Sequence, residues 1–442
     1  MSASNPFFAC SGLAAATLIC LQGCASSVSL APPPLPDRLP DFIATQPSGL
    51  QPHVTQLYAE GERNSVLNFD RLGVAALASG QGALAAKAFD QAIVRIQSVR
   101  NGGKDIDVAK SKFGTESSKD FKGEPYEKAM AYYYRGIAYL HAGDFSNAAA
   151  SFAQVNVEDS VAESETYQAD YASAKLLQAW ALRCSGEEST SADLYRQALE
   201  MRPELKGVDY QQPALVIVET GQGPRKLGTG QYHERLTWAE GGGDANGLTL
   251  TAGGVPVGDA VKSESLYYQA STRGGRPVEY LLAGKASFRD GAKTAADAGN
   301  MLAQAGLISA NVQAQAGHFQ SAINSSYFSL ASSLFSAVSR AVEHSTTPAA
   351  DTRAWDSLPG SVWLATPHVD AAAIDQVRVA DADGGNVGIA PQVTGHAGTC
   401  SVAWTRLSPV PPLHRDAAEA IDSSSESIAR LRQFQGALPN VL

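Results

Sequence analysis

The stretch Leu72-Gly73-Val74-Ala75-Ala76, followed by Gly80, Ala85 and Phe89, recurs along the chain. At an offset of 63 it reads Arg135-Gly136-Ile137-Ala138-Tyr139, then Gly143, Ala148 and Phe152. A further 43 residues on it reads Gln178-Ala179-Trp180-Ala181-Leu182, then Gly186, Ser191 and Tyr195. Self-similarity of this kind marks a repeat architecture. Small residues in both helices of a hairpin let the helices approach closely. Gly takes the turn between them. The aromatic residue fills the gap to the next hairpin. No single hairpin buries its own apolar face, so the units are expected to stack. Residues 53–210 are read as this helical domain.

The three units resemble tetratricopeptide repeats. Pro203 supplies the family's closing Pro in the third unit, and Tyr139 an aromatic of the first helix in the second. The offsets exceed the usual period of about 34 residues, which requires insertions. The polar segment 101–123, opening Asn101-Gly102-Gly103-Lys104, accounts for most of the first excess. Tyr132-Tyr133-Tyr134 lies early in the second unit. It reads either as core packing between helices or as the aromatic floor of a peptide groove, with Tyr132 and Tyr133 as candidate partner-binding residues.

From Gln211-Gln212-Pro213 the character changes. Ala214–Glu219 is short, apolar and β-branched, a buried strand. The turn Thr220-Gly221-Gln222-Gly223-Pro224-Arg225-Lys226 follows it, but without the Gly-Lys-Ser/Thr and helix that a phosphate loop needs. It is read as a tight turn presenting Arg225 and Lys226. Further strands are expected at Leu266–Ser271, Val278–Leu282 with Ala286–Phe288, Ser361–Ala365, Gln376–Val379 and Ser401–Thr405. Helices are expected at 291–309 (Ala-rich) and at 319–342, where Phe319, Ile323, Tyr327, Leu330, Leu334, Val338 and Val342 form one apolar face. Strands mixed with helices give an α+β domain over 211–412. A charged C-terminal helix, about His414–Gln435 within 413–442, is expected to lie on the surface.

Outward from these domains, the N-terminal 23 residues contain no Asp, Glu, Lys or Arg. The apolar run Phe7–Leu21 is shorter than the roughly 20 residues of a membrane span and ends in Leu21-Gln22-Gly23-Cys24, so it reads as an export signal. The tetrapeptide resembles the lipobox of bacterial lipoproteins. That resemblance implies cleavage before Cys24, acylation of Cys24, and, with Ala25 in place of Asp next to it, sorting to the outer membrane, facing the periplasm. Residues 24–52, with Ala31-Pro32-Pro33-Pro34-Leu35-Pro36, form a Pro-rich tether extended at about 3.1 Å per residue. After loss of Cys10 and Cys20 with the signal, Cys184 and Cys400 remain, either paired or, the preferred reading, as two lone buried thiols.

Three segments of the second half are similar to a family of bacterial repeat-containing lipoproteins of unassigned activity. They are Gly221–Lys226, Thr272–Val278 with Leu282–Phe288, and Ala350-Asp351-Thr352-Arg353-Ala354-Trp355-Asp356-Ser357-Leu358-Pro359-Gly360. The likeness covers about residues 60–410. It brings no catalytic residues. The gene setting of some members, similar to that of lipoprotein activators of penicillin-binding proteins, points to cell-envelope work.

The chain has 442 residues, 44% hydrophobic and 18% charged, with a net charge of −10. This composition folds and lacks the basic excess of a nucleic-acid binder. The eight histidines form no His-x-x-x-His or Cys/His cluster, so no metal or cofactor is expected. No Gly-x-Ser-x-Gly elbow is present. Asp381 and Asp383 beside Gly384-Gly385 fit a solvated turn. Arg273 and Arg276 around Gly274-Gly275 read as a basic turn or as a clamp for a carboxylate or glycan phosphate. Trp355 is either a buried anchor for its loop or a partner contact. The expectation is a lipid-anchored periplasmic scaffold that binds an envelope protein partner through its helical repeats, with Tyr132, Tyr133, Arg225, Lys226, Arg273, Arg276 and Trp355 as candidate contacts. A peptidoglycan- or glycan-binding module, hydrolytic or not, is the alternative.

Overall fold

The computed structural model describes residues 40–101, 120–160, 170–272, 350–382, 388–411, 413 and 425–442. The signal, the lipidation position Cys24, the Pro-rich segment before Pro40, Arg273, Arg276, the strands at 278–288 and the helices at 291–309 and 319–342 lie outside them.

Two short helices, α1 (Asp41–Ala44) and α2 (Gln51–Glu60), lead through a 3-10 turn (Gly61–Asn64) into three helical pairs. These are α3 (Ser65–Ala78) with α4 (Gly82–Asn101), α5 (Pro125–His141) with α6 (Phe145–Asp159), and α7 (Ala172–Cys184) with α8 (Glu188–Met201). Each pair turns on the expected glycine. Gly80, Gly143 and Gly186 have φ of 71°, 75° and 91°, the left-handed region that costs a side chain energy. Each turn closes with the same backbone bonds, including Gln81 N to Ala76 O, Asp144 N to Tyr139 O and Glu187 N to Leu182 O at 2.8–2.9 Å, the six-to-one bond of a helix C-cap.

Within a pair, small meets aromatic. A Cβ on Gly73 or on Gly136 would come within 2.6 Å of the Phe89 or Phe152 ring. In the third pair Ser191, at the position of Ala85 and Ala148, holds the helices together by donating its hydroxyl to Ala179 O at 2.7 Å. Phe89 also stacks on Tyr134 of the next pair, with centroids 5.6 Å apart and 8° between planes. Phe89 thus closes its own pair and bridges to the following one.

After a 3-10 turn (Pro203–Gly207) come β1 (Ala214–Thr220), a hairpin of β2 (Arg225–Thr229) and β3 (Arg235–Ala239), β4 (Leu248–Ala252) and β5 (Val255–Ser265). Helix α9 (Leu266–Ser271), β6 (Ser361–Ala365), a 3-10 turn (Ala371–Gln376), β7 (Val377–Asp381), β8 (Val393–Ala397), β9 (Cys400–Arg406) and α10 (Ser425–Val441) complete the described elements. Seven strands make one sheet in the order β7-β4-β5-β6-β1-β9-β8, and β2-β3 form their own ribbon. Only β1 and β9 run parallel within these pairings.

Strand β1 is buried along its whole length, which its unbroken apolar run requires. Leu215 and Ile217, with Val362, Leu364, Val402 and Trp404, join the apolar cluster of the helices. Val216 and Val218 join Trp363, Leu250, Val377 and Val379 in a second cluster that Ile374 closes. The first cluster extends from Ile43 to Leu438, so helical pairs and sheet share a core. The architecture is α+β.

Two expectations are corrected. Leu266–Ser271 is a helix, not a strand: the Ser265 hydroxyl caps it by accepting from Tyr268 N at 3.3 Å, and the strand, β5, ends just before. The C-terminal helix runs to Val441, beyond Gln435; it lies on the surface and docks by one side, with Phe434 edge-on to Phe69 at 6.2 Å, Leu438 buried and Gln435 Nε2 donating to Tyr58 O. Its apolar residues face the first helices and its charges face out, as in Arg430 to Asp120.

Candidate functional site: a strap between helices and sheet

Residues 350–360 form neither helix nor sheet strand, yet they run through the interior between the helical pairs and the sheet. A buried backbone needs a partner for its polar groups, and here charged side chains from four elements supply many of them. Lys226 Nζ, from β2, donates to Arg353 O at 2.8 Å. Arg71 Nη2, from α3, donates to Ala354 O at 3.1 Å. Trp355 N donates to Glu127 Oε1, from α5, at 2.8 Å. Arg406 Nη1, from β9, donates to Ser357 O at 2.7 Å. Backbone bonds fix the end: Gly223 N to Leu358 O at 2.8 Å and Gly360 N to Thr220 O at 2.9 Å.

The charges are paired as well. Glu127 and Lys226 meet at 2.6 Å with side chains only 2% and 1% exposed. Glu127 is also the capping-box residue of α5, accepting from Glu124 N at 2.7 Å. One carboxylate therefore starts a helix, holds the strap and neutralises a buried lysine. Arg71 pairs with Asp356 at 2.8 Å, Arg353 with Asp351 at 2.6 Å, and Arg406 with Glu219 at 3.2 Å. The Phe121 ring lies 5.2 Å from Lys226 Nζ and 5.4 Å from the Arg353 guanidinium carbon, a cation–π floor. Trp355 packs on Tyr134 at 5.6 Å, and its Nε1 donates to Ser357 Oγ at 2.7 Å.

Burial decides most of the electrostatics. It pushes the Asp70 carboxyl well above its usual range, with the Glu127 charge adding to the shift, and Asp70 Oδ1 has no hydrogen-bond partner. Burial raises Glu219 too, against the opposing pull of Arg406, Trp404 and Tyr134. At Asp351 burial works upward, but the hydrogen bonds and charge of Arg353 outweigh it and hold the carboxyl below its usual value. Burial and the Arg71 charge lower His53 to about 4, with Asp356 opposing. The arrangement is an ionic clasp around the strap. Among the described residues no group of three His, Cys, Asp or Glu is placed to hold a metal.

The structure brings two of the candidate residues together here, Lys226 and Trp355, both in the interior. Lys226 is therefore not presented by an exposed turn; strand alternation turns it inward and leaves its neighbour Arg225 exposed. Trp355 takes the anchor role. Tyr133 is fully buried between Tyr134 and Phe152, and Tyr132 is buried with its hydroxyl accepting from Gln97 Nε2 at 2.9 Å, which is core packing and not the floor of an open groove. The sequence reading missed Arg71, Glu127, Glu219 and Arg406. Two signals for them were present: Asp70-Arg71 interrupts an otherwise apolar helix, and Glu124-Pro125-Tyr126-Glu127 is a helix-start pattern.

Cys184 and Cys400 form a disulfide, with Cα atoms 5.9 Å apart across a separation of 216 residues. This corrects the preference for two lone thiols. Parallel pairing of β9 with β1 places Cys400 beside Pro213, whose carbonyl accepts from Ser401 N at 2.8 Å. Gln212 lies under the end of α7, where its carbonyl accepts from Trp180 Nε1 at 3.1 Å. The sheet crossover closes a gap that chain separation does not reveal.

Compared with known proteins, the chain matches no family model, no curated protein and no solved structure. No helix among the described residues is long and apolar enough to cross a membrane.

Proposed function

We propose that this chain is an exported envelope lipoprotein, anchored through Cys24 to the periplasmic face of the outer membrane, that works by binding a protein partner. The observation that carries this reading is the Cys184–Cys400 bond. Such bonds persist in oxidising compartments and are rare where glutathione and thioredoxin keep thiols reduced. The Leu21-Gln22-Gly23-Cys24 tetrapeptide and the Pro-rich segment behind it fit the same compartment. Multiple acylation of Cys24 is the two-signal anchor that a single chain cannot provide.

The helical pairs are read as tetratricopeptide-like units. The glycine turns and the small-against-aromatic contacts support that reading. In this protein the first helices of the pairs bear the strap and the sheet: Arg71 of α3 and Glu127 of α5 hold residues 354–356, and Tyr134 of α5 donates to Glu219 of β1 at 2.9 Å. The chain's own segment thus occupies the face on which a peptide would otherwise lie, and a partner meets other surfaces. Of the residues on which the glycan-binding alternative rests, Arg353 and Trp355 are turned inward, and Arg273 and Arg276 lie outside the described residues.

The test is photo-crosslinking in intact cells from exposed positions such as Arg225 and Leu227. One discrete partner, recovered reproducibly and lost when the protein is released from the membrane, is the expected result. A background identical to that of an unrelated lipoprotein would overturn the reading.

A further inference from the structure

The disulfide carries a feature that a purely structural cross-link does not need. Arg183, the residue before Cys184, bends its guanidinium over the bond. Its Nη2 lies 3.3 Å from Cys184 Sγ and 3.2 Å from Cys400 Sγ, and the same nitrogen donates to Gln212 O at 2.8 Å, which holds it in place. A cation against a sulfur favours its thiolate form, and a thiolate that is easier to form is a faster leaving group in disulfide exchange. Burial lowers the Arg183 guanidinium from its usual value, with Asp209, Tyr210 and Glu188 opposing, and a guanidinium keeps its proton at neutral pH even so. The two sulfurs also differ in access: Cys184 is partly exposed at the end of α7, whereas Cys400 is buried at the start of β9.

We infer that Cys184–Cys400 is a reducible latch between the helical pairs and the sheet, opened by a dithiol that attacks Cys184 while Arg183 stabilises the departing Cys400 thiolate. A thiolate of the reductant attacks Cys184 Sγ along the S–S axis. The S–S bond breaks, its electron pair leaves on Cys400 Sγ, and a mixed disulfide forms at Cys184. The second thiol of the reductant, deprotonated, then attacks its own sulfur in that mixed disulfide and expels the Cys184 thiolate. The two protons of the dithiol end on Cys184 and Cys400. The reductant becomes a disulfide, and the protein gains two thiols.

Opening frees one of several fastenings on the β8–β9 hairpin. The parallel pairing of β9 with β1 stays, as does the contact with the end of α5 and its turn, where His141 Nδ1 lies 2.6 Å from Thr394 O and Gly143 packs against His396 O. Reduction therefore loosens the hairpin from α7 while the fold stays closed. The latch is independent of the export reading, since it is tested on purified protein.

The experiment uses the full chain equilibrated with dithiothreitol and with glutathione, quenched by alkylation and read by peptide mass. In the parent protein, glutathione forms its adduct on Cys184. An adduct on Cys400 instead, or reduction only under denaturing conditions, overturns the inference whether or not any variant folds. Arg183→Gln is expected to slow reduction about tenfold and to shift the equilibrium tenfold toward the disulfide, about 30 mV by the two-electron relation. Arg183→Lys, which keeps the charge, is expected to recover part of the rate. Equal rates for parent and Arg183→Gln overturn the role of Arg183.

Discussion

At Glu127 three demands meet on one carboxylate, and removal of its lysine exposes what each is worth. Lys226→Met leaves Glu127 buried and charged, which costs about 3–5 kcal/mol for a pair of this kind. The variant is expected to unfold at lower urea by that margin, and Glu127→Gln added to it is expected to recover a large part, since the buried charge is then gone. A loss below 1 kcal/mol would contradict the closed clasp. Two other groups contribute to the pH dependence with opposite signs. His53 is depressed from 6.5 to about 4, so the folded state binds fewer protons than the unfolded one between those values. Its contribution is full above pH 6.5 and is lost as pH falls toward 4, and His53→Gln is expected to flatten that acid limb in a pH series of denaturation midpoints. Asp70 runs the other way. Its carboxyl is raised by burial and by Glu127, so the folded state holds the proton longer and stability falls as pH rises from the ordinary carboxylate value through the raised one. Asp70→Asn is expected to remove that loss and to be more stable than the parent at neutral pH.

At the scale of elements, the contacts between Gly73 and Phe89 and between Gly136 and Phe152 set the spacing of the first two pairs. Gly136→Ala improves helix propensity by about 1 kcal/mol, but its methyl meets the Phe152 ring at 2.6 Å. Overpacking of this kind costs about 1–3 kcal/mol, so a net loss of stability is expected, partly reversed by Phe152→Leu in the same chain. A stabilised Gly136→Ala would show that the ring has room to move. These pairs were legible in the sequence because each contact joins residues 16 positions apart and is written twice, with Ala179 and Tyr195 at the same spacing in the third unit. The sheet was legible only in part. Strands β1, β6 and β9 are buried on both faces and stand out as apolar runs, whereas β2 and β3 have one buried residue between them and leave no such trace. Leu266–Ser271 was misread because aromatic residues favour strands in isolation and the Ser265 cap outranks that preference. The strap was illegible as a clasp because its partners come from α3, α5, β2 and β9, up to 285 residues away. A local reading marks Trp355 and Lys226 as unusual and has no means of joining them.

For the whole molecule, helices and sheet share one buried cluster, and the disulfide and the strap tie the same two parts together at different places. The bond spans 216 residues, and loss of a cross-link over so long a loop costs about 2–5 kcal/mol. Cys184→Ser with Cys400→Ser is expected to fold and to unfold at correspondingly lower urea, and an unchanged midpoint would mean that the strap alone holds the halves. The account rests most on the proposal that the protein is exported and fastened by lipid at Cys24. Membrane flotation of cell lysates carrying the parent or Cys24→Ser tests this directly. The parent is expected to float with the outer membrane and Cys24→Ser to stay in the soluble fraction with its disulfide formed; equal flotation of the two, or a parent found soluble, would contradict it.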